Sequence, residues 1–195
     1  MQITIWNIGG ISNRVRVFFF KFYNNLLGLN TRLSHFVANQ SRGCNFCEGS
    51  ADPVPDETFI HVFLQCPTST GWRDSFLTKY FPFFIQMNDR QKSEFYLLGK
   101  MPGFRNDNLF IVLCVLLFQY CIWEERLKKK KPSFRTIENI YLELLGQLVH
   151  SNSAVHTCAE TLNFPICRTV GVRGAAPDNQ PWRPGQAARR RLPAP

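Results

Sequence analysis

The sequence has few acidic residues and lacks the motifs that accompany the common catalytic chemistries. Its 195 residues include 14 Asp and Glu against 23 Lys and Arg. No carboxylates are spaced to hold two metal ions about 4 Å apart, as nucleotidyl transfer requires. A glycine-rich phosphate loop, a Gly-x-Ser-x-Gly elbow and a His-Glu-x-x-His helix are also absent. These absences predict that the chain is not an enzyme by itself and takes no small-molecule substrate.

Long hydrophobic runs are missing as well. The most apolar block extends from Leu109 to Trp123, which is shorter than the roughly twenty residues that a helix needs to cross a bilayer. Glu124 and Glu125 continue its periodicity, so this block predicts a buried core helix and no membrane partner. No apolar signal segment follows Met1, which favours a reducing, intracellular compartment and free thiols for the seven cysteines.

The positive charge is unevenly distributed along the chain. The net charge is +9, and residues 168–195 contribute +5 of it, because they contain six arginines and only one acidic residue. The rest of the chain is therefore only mildly basic. The segment 151–195 is irregular in pattern and ends in Pro, Gly, Ala and Arg, which predicts an irregular to disordered basic tail.

Hydrophobic periodicity predicts a mainly α protein: a small helical domain with a Cys/His zinc knuckle and the disordered basic tail. The predicted segments are 1–13, an N-terminal stretch with a β-like run at 3–6; 14–80, a helix plus the zinc-binding module; 92–150, a C-terminal helical region; and 151–195, the tail. A short helix from Thr31 is also predicted, with Leu33, Phe36 and Val37 on its apolar side. The other residues predicted to face the core are Val15, Phe18, Phe19, Phe22, Leu26, Leu29, Trp72, Phe76, Leu77, Tyr80, Ile137, Ile140, Tyr141, Leu144, Leu145 and Leu148.

Four potential metal ligands occur close together in the sequence. Cys44 and Cys47 are separated by two residues, thirteen residues follow, and His61 and Cys66 are separated by four. Three thiols and one imidazole are the ligand set of a closed tetrahedral zinc site, which leaves no open position for a substrate. The sequence therefore predicts a structural Zn²⁺ bound by these four residues.

The residues around the ligands agree with this prediction. Asp56 is expected to cap a short helix that begins at Glu57 and carries His61. Pro67 disfavours α-helical geometry at the residue before it, so Cys66 is expected to bend out of that helix. A redox Cys-x2-Cys motif fits poorly because no βαβ pattern surrounds it. A chance group of unrelated cysteines beside a surface histidine is the remaining alternative.

A series of short motifs runs from residue 15 to residue 72. In order they are an aromatic-rich helix, Asn30-Thr31-Arg32-Leu33, Cys44-Asn45-Phe46-Cys47, the run from Glu57-Thr58 through His61 and Phe63 to Cys66-Pro67, and Trp72. In its order and spacing this segment resembles the zinc-binding segment downstream of the polymerase domain in non-LTR (LINE-type) retrotransposon reverse transcriptases. The polymerase portion of that family is absent here.

The resemblance implies zinc ligands at the four Cys and His positions and a role in holding template RNA or target DNA. The partners would then be RNA or DNA, together with a polymerase domain. The cations that are candidates for phosphate contacts are Arg14, Arg16, Lys21, Arg32, Arg42 and Arg73. Phe46 or Trp72 could stack on an exposed base, although both are more typical of a core.

A second hypothesis assigns the chain to another class of protein. Zinc would then staple a small helical domain whose phenylalanine-rich faces pack against another protein, without affinity for nucleic acid. The two hypotheses differ in whether RNA or single-stranded DNA binds in a salt-dependent way.

Overall fold

Helices make up nearly all the regular structure of this protein. The computed structural model describes residues 8–98, 109–128 and 131–161, and no strand occurs in these ranges. This confirms the predicted mainly α class. The α-helices of the described ranges are α1 (Asn13–Tyr23), α2 (Asn30–Leu33), α3 (Pro67–Tyr80), α4 (Asp89–Leu98), α5 (Leu109–Leu127), α6 (Phe134–Ser151) and α7 (Ser153–Thr161).

The centre of the fold is α5, the helix predicted from the apolar block. Almost every side chain from Phe110 to Ile122 is buried, because α1, α4, α6 and α7 all pack against α5. A helix that is apolar on every face is stable only when it is surrounded in this way. No helix in the described ranges is long and apolar enough to cross a membrane. The C-terminal helices thus pack within the chain and share one buried core with Cys44, Cys47 and Cys66.

Aromatic rings fill much of this core between α3, α5 and α6. Phe76 of α3 stacks on Phe118 of α5 with ring centroids 3.9 Å apart, and it meets Tyr141 of α6 edge to face at 4.9 Å. Such pairs add to the free energy gained from burying the ring surface itself. The predicted apolar faces of α3 and α6 are therefore correct. Ser133 is the N-cap of α6, since its hydroxyl accepts a hydrogen bond from the Thr136 amide at 3.2 Å.

Some residues predicted to face the core at the ends of α1 and α2 are exposed instead. We expected Leu26 to continue the face of α1, but that helix ends at Tyr23 and Leu26 is exposed. Asn25 adopts a φ of 51° and turns the chain away from the helix axis. Phe36 and Val37 are exposed as well, because α2 ends at Leu33 and the chain beyond it forms surface turns.

The segment after residue 151 departs from the predicted irregular structure. α7 begins there, capped by the Asn152 side chain, which accepts a hydrogen bond from the Val155 amide at 3.1 Å. Val155 and Ala159 lie four residues apart, so they share one face of the helix, and both are buried against α5 and α6. The β-like run at 3–6 and the rest of the predicted tail, 162–195, lie outside the described residues.

Candidate metal centre

The first two cysteines lie on a tight turn. Both the Cys47 and Glu48 amides donate to the carbonyl of Cys44, at 3.0 and 3.1 Å, which folds the two-residue gap back on itself. The Cys44 amide in turn donates to the Pro55 carbonyl at 2.9 Å. An isolated antiparallel bridge pairs the adjacent residues 43 and 56. The loop between these positions is therefore closed at its base, directly beside the turn that carries the thiols.

The other two candidate ligands, His61 and Cys66, lie at the start of a single helical turn and directly after its end. This turn is π-helical over His61–Gln65, and the Cys66 amide closes it by donating to the His61 carbonyl at 2.6 Å. Cys66 itself is extended, with φ −62° and ψ 122°, and α3 starts at the next residue, Pro67. The prediction that this proline bends Cys66 out of the helix is confirmed. The π-helical turn was not predicted, although such turns are frequent at functional sites.

The predicted helix cap at Asp56 is wrong. Asp56 instead forms an ion pair with Arg42 at 2.8 Å. Thr58 takes the capping position, because its hydroxyl accepts a hydrogen bond from the His61 amide at 3.0 Å. Thr58 lies two residues after Asp56, and its hydroxyl supplies the same kind of hydrogen-bond acceptor as an aspartate cap.

The ligand atoms of the four residues converge on one buried point. We call this group the Cys3His cluster; its members are Cys44, Cys47, His61 and Cys66, and their ligand atoms all lie within 4.8 Å of one another. The Sγ atoms of Cys44 and Cys66 are 4.0 Å apart, and those of Cys47 and Cys66 are 3.6 Å apart. The Cys47 Sγ lies 3.4 Å from Nε2 of His61.

These separations fit a tetrahedron around one metal ion. Ligand bonds of about 2.3 Å to sulfur and about 2.0 Å to nitrogen place two sulfurs about 3.8 Å apart, and a sulfur and a nitrogen about 3.5 Å apart. The two sulfur–sulfur distances, 4.0 and 3.6 Å, fall on either side of the first value, and the sulfur–nitrogen distance of 3.4 Å is close to the second. All four residues are buried, so a bound ion would be shielded from solvent. The cluster can therefore hold a metal ion with no further protein ligand.

Electrostatics at the cluster favour negative charge on one of the three sulfurs, that of Cys66. The hydrogen bond from Cys44 lowers the pKa of the Cys66 thiol to about 4, and the Thr68 and Ser69 amides at the start of α3 also lower it. The same Cys44–Cys66 hydrogen bond raises the pKa of Cys44. Burial, followed by its hydrogen bond to Cys66, raises the pKa of Cys47. A divalent cation would replace the protons shared among these sulfurs, since metal ligation requires deprotonated thiols.

A buried polar network lies next to the cluster and was not predicted from the sequence. Glu57 accepts hydrogen bonds from the amides of Asn30 at 2.9 Å and Asn45 at 3.1 Å, and it forms an ion pair with Arg126 of α5. Arg126 also donates to the Asn30 side chain at 3.0 Å and lies over the Trp123 ring. This network attaches the cysteine turn to the central helix.

The six candidate phosphate-binding cations have different surroundings. Those that already have protein partners are Arg14, which pairs with Glu124; Arg42, which pairs with Asp56; Arg73, which pairs with Asp74; and Arg16, whose guanidinium donates to the Ile8 carbonyl. Lys21 and Arg32 are exposed, and Arg32 donates to the Asn25 carbonyl at 2.9 Å. Among the described residues, these last two are the candidates that are both exposed and without an acidic partner.

The two aromatic residues proposed for base stacking belong to the core. Phe46 is 1% exposed and Trp72 is 7% exposed, and their rings meet edge to face at 5.1 Å. Both rings are buried, so the expectation that they are core residues is confirmed and they are not placed to stack on a base. They pack around the cysteine turn instead.

Comparisons of this chain with family models, with curated proteins and with solved structures find no match.

Proposed function

We propose that this protein is a zinc-stabilised helical module that binds nucleic acid and has no catalytic activity of its own. The convergence of four buried ligand atoms within 4.8 Å supports the zinc site. Three thiols and an imidazole select zinc among the common divalent ions, and a site filled by four protein ligands has no position for a substrate. Its role is therefore structural.

The metal stabilises a segment that has little regular structure. The Cys3His cluster joins the cysteine turn to the turn before α3, and the Glu57–Arg126 ion pair joins the same segment to α5. Elemental analysis of the purified protein tests the site directly, with one zinc per chain expected. Substoichiometric metal under zinc-replete conditions would contradict it.

The nucleic-acid part of the proposal is supported by the charge of the segment before the cluster. Residues 8–50 contain five Lys and Arg and a single acidic residue. Lys21 and Arg32 are exposed in this segment, and Phe20 and Tyr23 expose about half of their side chains on α1. A segment that exposes both cations and aromatic rings is typical of proteins that bind single-stranded nucleic acid. The resemblance to the reverse-transcriptase zinc-binding segment points to the same role beside a polymerase domain.

A salt titration tests this part. Binding of a fluorescent single-stranded RNA or DNA should weaken steeply between low and physiological salt, because counterions are released when phosphates are neutralised. Absence of binding at low salt would refute the nucleic-acid role and leave the zinc site standing.

A protein-interaction module is the second candidate. It is favoured by the outward face of α1, where Val17, Phe20 and Tyr23 follow one another at three-residue steps and are all exposed. Large exposed apolar side chains in a row are typical of protein–protein contacts. This candidate predicts self-association or capture of a polymerase domain, without salt-dependent affinity for RNA or DNA.

A further inference from the structure

We propose that a groove between the end of α1, α2 and the turn that precedes the π-helix binds one nucleotide of a single strand. The inference rests on the nucleic-acid role proposed above and locates it. The groove encloses about 500 Å³, which lies within the range of small-ligand sites. The lining residues that matter for the argument are Thr31, Arg32, His35, Thr58, Phe59 and Ile60. None of the residues that line the groove is acidic.

One side of the groove is suited to a phosphate. Arg32 is exposed, and its NH1 group donates a hydrogen bond to the Asn25 carbonyl, which fixes the position of the guanidinium. The other N–H groups of the guanidinium remain available to a ligand. His35 is exposed on the same side. An arginine held in this way positions a nucleic-acid backbone without reading its sequence.

The other side is suited to a base. The Phe59 ring packs against both Phe22 and Phe63, with centroids 4.9 and 5.1 Å away, and it is partly exposed where it lines the groove. Ile60 exposes 46% of its surface beside it. A fixed aromatic ring with an apolar neighbour offers a base a contact that does not depend on sequence. The hydroxyls of Thr31 and Thr58 are within the lining, although each already has a protein partner.

The groove also depends on the metal site, because it is built on the same turn. Thr58 caps a short helical segment that begins at Phe59 and Ile60 and continues into the π-helical turn, whose first residue, His61, belongs to the Cys3His cluster. Loss of the metal is therefore expected to disorder one wall of the groove.

Two substitutions of exposed groove residues test the proposal in the full zinc-loaded chain. Arg32→Gln removes the charge, and Ile60→Ser removes the apolar neighbour of the base. The matched control is Arg135→Gln, since Arg135 is an exposed arginine on α6. The probe is a fluorescent oligouridylate, with the deoxy oligonucleotide as a second arm that distinguishes RNA from DNA.

The groove proposal predicts a several-fold loss of affinity for Arg32→Gln and a fall of about 1 in the slope of log affinity against log salt. Ile60→Ser should weaken binding with the slope unchanged, because it removes no charge. Arg135→Gln should leave both quantities as they are. An oligonucleotide that carries 5-iodouridine should crosslink to the peptide that contains Phe59.

The possible failures are distinguishable. Binding that survives both groove substitutions unchanged would overturn the groove and leave the nucleic-acid role intact. Absence of binding by the unaltered protein would overturn the proposed role itself and the groove with it. Circular dichroism melting of each variant shows whether a loss of binding reflects unfolding.

Discussion

Arg126, near the end of α5, forms a buried ion pair with Glu57, which lies just before the turn that carries His61. The two side chains are 4% and 0% exposed, so neither charge is solvated by water. The pair joins the metal-binding segment to the core of the helical domain, across 69 positions of sequence. The Glu57 carboxylate also accepts hydrogen bonds from the backbone amides of Asn30 and Asn45. This one side chain therefore connects the cysteine turn to α5.

The first prediction concerns this ion pair. Glu57→Gln should lower the free energy of unfolding of the zinc-loaded protein by about 3–5 kcal/mol, because it leaves the Arg126 charge buried without a counterion. Replacing both members, as in Glu57→Gln with Arg126→Met, should restore part of the loss. Denaturant unfolding followed by circular dichroism measures the difference.

A second ion pair provides the control for that experiment. Arg42 and Asp56 are 2.8 Å apart in the same segment, but both side chains are half exposed. Asp56→Asn should therefore change the free energy of unfolding by less than about 1 kcal/mol. Equal effects of the buried and the exposed substitutions would show that Glu57 does not attach the segment to α5.

The next prediction concerns the metal. Cys47→Ser or His61→Ala should abolish stoichiometric zinc binding and unfold the segment 43–66. Zinc binding contributes roughly 10–16 kcal/mol in structural sites of this kind, which exceeds what so small a segment gains from its own packing. Elemental analysis gives the metal content, and melting curves give the stability.

Cys158→Ser is the matched control, because Cys158 is an exposed free cysteine on α7, away from the cluster. It should retain one zinc per chain and the melting temperature of the unaltered protein. If Cys47→Ser kept full zinc content, Cys47 could not be a ligand.

The residues of the Cys3His cluster could be predicted from the sequence because their spacing is a local property. A two-residue gap fits one turn, and the effect of Pro67 on Cys66 acts between neighbours, so neither depends on the rest of the fold. The long apolar helix was predictable for a similar reason. Its residues are apolar on every side, so the helix must be buried whichever helices surround it.

What could not be predicted depends on distant parts of the chain. Glu57 resembles any surface acid in the sequence, and only the position of Arg126 on α5 explains its burial. Phe36 resembles a core residue, yet α2 is one turn long and cannot direct its side chain inward. α7 did have a sequence signal in Asn152 and Val155, but one capping residue and a short apolar face are too weak to identify a helix alone.

The third prediction concerns the aromatic core. Phe76→Ala should destabilise the protein by about 3–5 kcal/mol, because it opens a cavity between Phe118 and Tyr141 in a fully buried site. The control is Phe36→Ala. Phe36 is 79% exposed, and its removal should change stability by less than about 0.5 kcal/mol. A comparable loss at both positions would mean that the described core is incorrect.

The last prediction concerns alkaline pH, where the protein should lose stability as its tyrosines ionise. Burial raises the pKa of every tyrosine in the chain; the values reach about 12 for Tyr23 and Tyr120, and the pKa is also raised for Tyr80, Tyr96 and Tyr141. In the unfolded chain these groups ionise near pH 10.

The sign of the effect follows from this difference. Below pH 10 the tyrosines are neutral in both states, so their contribution to stability is fully present. As the pH rises from 10 toward 12, the unfolded chain releases protons that the folded chain keeps, and the free energy of unfolding falls. The ultraviolet absorbance of tyrosinate should therefore stay low in the native protein at pH 10 and rise together with the loss of helical circular dichroism.

Tyr23 is 42% exposed and should be the first to ionise, so Tyr23→Phe should remove the earliest part of the absorbance change and move the alkaline unfolding transition to slightly higher pH. The denaturant-unfolded protein provides the reference titration near pH 10. Ionisation of several tyrosines at that pH with the helices intact would show that Tyr80, Tyr96, Tyr120 and Tyr141 are not packed as described.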